Sequence, residues 1–274
     1  MFASGSVTRL LHADPAMWIA GIRSLYLEAL HPLAVRGVLQ NSSFGQDPTG
    51  RLMRTARFVA TVTYGTVAQA ERAASRVRRI HARLSVHDPD TGEDSPVDRP
   101  DLLLWIHCAA TVSYLDVVRR AGLAISNAMA DQYVDEQRRA AELIGLPAAD
   151  VPGGVGELAE YIASVQPSLR HTAESAQIYQ FLSSPPQPSW YGRHTSTVAP
   201  VAQAAYHTTS AVMWRPVSHL AYSALPLWAI SLYQHRPYSD VVTTFGLRSL
   251  RRAAQAVPAA VRYAAVRDRH GDAR

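Results

Sequence analysis

The 274-residue chain reads as an all-α protein, a single multi-helix bundle running from residue 1 to residue 274. Three observations lead there. Ala, Leu, Arg and Glu dominate, and apolar residues recur at helical spacing through most of the chain. No run of alternating β-branched residues is bounded by hairpin turns. Neither an internal repeat nor a break in composition divides the chain into separate domains.

Taken in order, residues 15–29 form a helix with Trp18, Ile22, Leu25 and Leu30 on its inner side. HPLAVRGVLQNSS continues as a short helix with Pro32 in its first turn. FGQDPTG, residues 44–50, has the composition of a loop. A helix over 51–64 turns Leu52, Phe58, Val59 and Val62 inward. Thr66 then caps a long helix, 67–86, whose inner face is Val67, Ala70, Ala74, Val77, His81 and Leu84. The polar stretch HDPDTGEDSPVDRP, 87–100, is a loop. The helix after it, 101–121, is apolar on nearly every side from Leu102 to Tyr114 and therefore central. Helix 126–144 stops at Gly145 and Pro147. Its VDEQRR segment reads as a salt-bridged exposed face. A further helix covers 154–165, a Pro/Ser/Gly-rich loop covers 183–200, and apolar helices over 201–235 break at Pro216 and Pro226. A basic helical tail, 247–274, closes the chain.

Hydrophobic residues make up 47%, enough for a full core, and charged residues only 18%, below the roughly 25% of average chains. The net charge is +5, and all 27 basic residues are arginine. They are scattered along helices near Asp and Glu, without RNP-type aromatic motifs or zinc spacing, which argues against nucleic acid. The single cysteine, Cys108, rules out an intrachain disulfide, and its apolar setting marks a buried small hydrophobe. MFASGSVTRLLHADPAMW lacks the apolar core of a signal peptide. No uncharged apolar run reaches 18 residues, so no membrane span is expected and the cytoplasm is the expected compartment. GxSxG, HExxH, P-loop and GxGxxG motifs are all missing.

The candidate chemistry lies in residues 51–107. Arg51 and Thr55 stand four apart and share a helix face, and His81 lies one amphipathic helix later. One imidazole for iron, with a cation and a hydroxyl for a propionate or a bound ligand, is the minimum equipment of a haem pocket. Each residue also has a plainer reading. His81 on an apolar face can be a core histidine, Arg51 can pair with Asp47, and Thr55 can bond back to the Arg51 carbonyl. His107, in the most hydrophobic helix, is a rival ligand or a histidine bonded to a neighbouring helix. Glu28 and His31 give one ExxH spacing of the ferritin-like di-iron kind, but no second copy exists.

HPLAVRGVLQNSSF, DPTGRLMRT, YGTVAQAERAASRVRRIHARL, RPDLLLWIHCAATVSYL and ELIGLPAADVP occur in that order. As an ordered set they resemble the DUF2236 family, which holds the latex clearing proteins (bacterial rubber oxygenases) and the MpaB-type oxygenases. The likeness is best over about residues 15–165 and looser in the C-terminal third. It implies an all-α, distantly globin-like fold that binds haem b (iron) through one histidine. It further implies dioxygen activation and oxidation of an apolar, isoprenoid-like or other hydrophobic substrate. By that resemblance Arg51 and Thr55 line the haem pocket and His81 is the proximal ligand, with His107 as rival.

The chain also departs from the rubber oxygenases. They carry lysine just before the threonine, where this chain has Arg54, a group that stays protonated and cannot ligate iron. They carry a glutamate upstream of the arginine, where HPLAVRGV has no carboxylate. Two other classes therefore stand beside the oxygenase: a haem-free helical protein that binds a hydrophobic ligand or partner, and a peripheral membrane protein using the arginine-rich tail.

Overall fold

The structure, a computed structural model, describes residues 1–41, 48–184 and 214–256. In chain order the helices are α1 (Val7–His12), α2 (Met17–Glu28), α3 (Pro32–Asn41), α4 (Pro48–Tyr64) and α5 (Val67–His81). A two-stranded antiparallel hairpin follows, β1 (Ser85–Asp88) and β2 (Glu93–Pro96), with Val86 opposite Ser95. Then come α6 (Pro100–Arg120), α7 (Asn127–Ile144), α8 (Val155–Val165) and α9 (Ala173–Ser183). A helical stretch over 214–223 is α10, and α11 (Leu227–Tyr233) and α12 (Asp240–Ala256) complete the chain.

The all-α expectation holds, with the small hairpin as the one addition among the described residues. The hairpin corrects two boundaries. Helix 67–86 was expected to run on, but α5 ends at His81, and residues 85–88 pair with 93–96 inside the expected loop. Gly92 at φ +76° makes the turn, a conformation glycine adopts without steric cost. Only Val86 of the hairpin is fully buried, so neither strand shows an apolar alternation. The loop expected over 44–50 is likewise shorter, because α4 already begins at Pro48; residues 42–47 lie outside the described residues.

Local signals set the helix ends. Thr66 and Gln69 form a capping box at the start of α5, each side chain bonding the other's backbone N–H. Ser126 caps α7, and Gly145 at φ +105° terminates it. Helix α1 is held from afar: Glu136 of α7 accepts the N–H groups of Val7 and Thr8 at 3.2 and 2.7 Å. That bond gives VDEQRR a structural task beyond an exposed face, since it satisfies donors that a helix start leaves open.

Helices α2 and α6 pack along each other at the centre, with α7, α9 and α12 around them. By length and composition α6 could cross a membrane, but half of its apolar stretch is buried in this bundle. Helix α2 turns Ile19, Ile22, Tyr26 and Leu27 into the core, and Trp18, expected inside, is exposed. The stripe is rotated by about one residue because Arg23 is drawn inward. Its guanidinium donates to the Ala224 carbonyl at 2.9 Å, to Ser113 Oγ at 2.8 Å and to Asp116 at 3.0 Å. Arg36 is buried as well, bridging Asp88, Asp90 and Glu174 and so tying α3 to the hairpin and to α9.

Candidate functional site

Helices α4 and α5 form an antiparallel hairpin whose two ends pack differently. Near the turn, Val62 and Thr63 of α4 and Ala70 and Ala74 of α5 are buried. Away from it, Leu52, Met53, Ala56 and Val59 of α4 are only half-buried, as are Val77 and His81 of α5. On the central helix Leu103, Leu104, His107, Ala110 and Tyr114 are half-buried too, Leu103 and Leu104 packing on Ala141, Leu146 and Val151. The hairpin is therefore buried at its turn and half-covered at its far end, where Arg51 and His81 stand.

Titratable groups from three helices influence one another near this end. Arg51 of α4 feels the carboxylate of Glu28 from α2, and its charge in turn bears on His81 of α5. Burial pushes the Glu28 carboxyl up to about 7 against the opposing pull of Ser24 and Arg51. Burial lowers the pKa of the Arg51 guanidinium, with Glu28 pulling the other way. Burial also lowers the His81 imidazole, so that it stays neutral at pH 7. The Ser24 hydroxyl donates its proton to the Gly21 carbonyl at 2.9 Å, and burial pushes the Tyr114 phenol well up.

Beside Tyr114 lies His12, whose ring meets the Tyr114 ring edge-on at 5.5 Å. Here the proton positions follow from donor counting. Thr63 Oγ1 donates its only proton to the Val59 carbonyl at 2.8 Å, so toward His12 Nδ1, also at 2.8 Å, it accepts. Nδ1 therefore carries the hydrogen, and Nε2 accepts from the Tyr133 hydroxyl at 3.1 Å. Burial holds this imidazole neutral, down to about 4.

The other candidates are placed elsewhere. Thr55 is exposed, and its hydroxyl donates to the Arg51 carbonyl at 3.3 Å. His107 borders a packing crevice with Cys108, Thr111, Val134, Val151, Pro152 and Leu158, facing α7 and α8, that has no room for a water-sized molecule. It is therefore no ligand pocket, which takes ~300–1,000 Å³. Burial alone pushes His107 down to about 4, with no charged neighbour contributing. Cys108 behaves as the hydrophobe expected, its thiol pushed up to about 12 by burial. Glu28 and His31 do not converge: His31 Nδ1 accepts the Ala34 N–H at 3.4 Å while Glu28 faces Arg51. Among the described residues no three His, Cys, Asp or Glu side chains gather as a metal group. Arg51, which donates to the Val38 carbonyl at 3.4 Å, thus lies within electrostatic reach of Glu28 and of His81, whereas Thr55 and His107 have no such link to them among the described residues.

The donor set at this half-covered end suits a haem. His81 offers a neutral imidazole with no hydrogen bond from its ring among the described residues, the state in which histidine ligates. Arg51 offers a cation for an acidic substituent, and the half-buried Leu52, Met53, Ala56 and Val77 offer apolar surface.

Comparison with known proteins came out on one side only. The family described as "ER-bound oxygenase mpaB/B'/Rubber oxygenase, catalytic domain" matches residues 9–259. No curated protein and no solved structure matches the chain significantly.

Proposed function

Because the chain belongs to the family of mpaB/B' and rubber oxygenase catalytic domains, we propose that the half-covered far end of the α4/α5 hairpin is the seat of a haem b-dependent oxygenation of an apolar substrate. The observation that carries the reading is the juxtaposition of His81, Arg51 and Glu28 across three helices at a half-covered apolar face.

Haem bound there supplies the iron at which dioxygen is activated, chemistry that belongs to the cofactor. The protein's own part is binding, orientation and proton handling. His81, held neutral by burial, would hold the iron. Arg51 neutralises a propionate or donates to charge developing nearby, a contribution of ~3–4 kcal/mol per well-placed donor. Glu28, with its carboxyl near 7, would give or take a proton at neutral pH. Thr55 steadies the turn that carries Arg51 through its bond to the Arg51 carbonyl. The half-buried Leu52, Met53, Ala56, Val77 and Tyr114 exclude water and accept a hydrophobic chain.

Purified protein from haem-supplied cells, or apoprotein titrated with hemin, tests the reading. A stoichiometric complex with a Soret band supports it. Protein that stays colourless and takes up no hemin overturns it, and an apolar molecule extracted from such a preparation assigns this end of the hairpin to a haem-free hydrophobic ligand.

A further inference from the structure

Helix α12 has two sides of opposite character. Thr243 and Leu247 are buried against the core, and Gly246 lies so close to Leu220 that an added Cβ would sit 2.7 Å from its nearer methyl. The helix is thereby fixed. On the outer side Val241 and Phe245, one turn apart, are 77% and 72% exposed, and Val242 beside them is exposed too. Single exposed apolar residues are ordinary, but three on one helix turn, where few aromatics are exposed among the described residues, form a directed patch.

Cations surround this patch. Arg248 and Arg252 continue along the outer side of α12, and Arg236 precedes the helix. Neither Arg236 nor Arg252 has a carboxylate partner among the described residues, and Arg248 bonds the Arg120 carbonyl at 3.4 Å. The acidic residue of the region, Asp240, is already engaged by Arg120. An apolar stripe that runs into guanidiniums left without counterions suits a surface that is greasy beneath and anionic at its rim.

From this charge complementarity we propose that the outer face of α12 docks on an anionic phospholipid bilayer. Val241, Val242 and Phe245 dip into the acyl boundary, and Arg236, Arg248 and Arg252 meet lipid phosphates. The proposal is independent of the oxygenase reading, because none of these residues belongs to the α4/α5 hairpin.

Co-sedimentation of the full chain with phosphatidylglycerol/phosphatidylcholine vesicles, and with phosphatidylcholine alone, tests it. Expected is binding to the anionic vesicles only, weakened by salt. It should be abolished in the double variant Val241→Ser/Phe245→Ser and weakened about fivefold per residue in Arg248→Ala and Arg252→Ala. Circular dichroism should show unchanged helix content, since these side chains are exposed. Three outcomes overturn the proposal. One is failure of the native chain to bind anionic vesicles. Another is undiminished binding by the double variant, which moves the contact to another part of the chain. The third is a native dimer that the double variant dissolves without any vesicle binding, which makes the occupant a second copy.

Discussion

The indole N–H of Trp105 donates to the main-chain carbonyl of Glu28 at 3.2 Å, so the central helix grips α2 at the residue whose side chain faces Arg51. A carboxyl positioned this firmly cannot turn away from burial, and burial is what displaces its titration.

The Glu28→Gln substitution tests that displacement. The Glu28 carboxyl ionises at about 7 in the folded protein instead of the ordinary 4.5. The unfolded chain loses its proton first, so folded stability falls as pH rises from about 4.5 to about 7 and is level above that. The full effect is roughly 3 kcal/mol. Denaturant titrations across this window should show Glu28→Gln gaining on the native chain up to about that amount. Parallel curves for the two proteins would mean that the carboxyl titrates normally.

Hemin titration separates the two histidines. His81→Ala should weaken haem binding by at least about tenfold, since an axial ligand contributes no less than the outer groups that support it. Thr55→Ala and His107→Phe should each stay within about twofold. A reversal, with His107→Phe losing the Soret band and His81→Ala keeping it, assigns the iron to the crevice beside α7 and α8.

His107 makes its own pH signature. Its folded value is about 4 instead of 6.5, so stability is complete above pH 6.5 and is lost as pH falls toward 4. Removing this one group in His107→Phe should flatten the acid limb by roughly 3 kcal/mol. An acid limb identical to that of the native chain refutes the burial argument.

Arg23→Met would strand two buried acceptors, Ser113 Oγ and the Ala224 carbonyl, while exposed Asp116 finds water. The expected loss is about 2–4 kcal/mol by chemical denaturation. A loss under about 1 kcal/mol would mean that water replaces the guanidinium.

Gly145→Ala places a Cβ on a backbone at φ +105°, where L residues are strained. A loss of about 1–2 kcal/mol and fraying of the last turn of α7 should appear in amide exchange.

Local rules made most of the fold legible. The Thr66 cap, the Gly145 stop and the all-round apolarity of α6 are written in neighbouring residues, and each is found where expected. Arg51 and His81 could be singled out as candidates because each lies on the apolar side of an amphipathic helix, and both are half-buried. Glu28 was not singled out as their partner. It is the lone acidic residue between Asp14 and Asp47, inside an apolar helix, which is a signal in itself. Its partner, however, is 23 positions away on another helix, and no period in the sequence encodes how α2 and α4 pack. Arg23 and Arg36 were hidden for a related reason: arginine is usually solvated, and their carboxylates come from remote segments. The threonine is a different case, since the plain local reading of Thr55, a bond back to its own helix, is the geometry found.

The far end of α2 is tied off by remote donors. Tyr233 Oη bonds the Tyr26 carbonyl at 2.6 Å and Trp105 bonds Glu28. Ser175 Oγ bonds the Ala29 carbonyl at 2.7 Å, and the Arg170 N–H bonds the Leu30 carbonyl at 2.9 Å. Four donors drawn from positions 105 to 233 converge on five consecutive residues. During synthesis these bonds cannot all form until Tyr233 has left the ribosome, so the end of α2 is completed only after most of the polypeptide has been made.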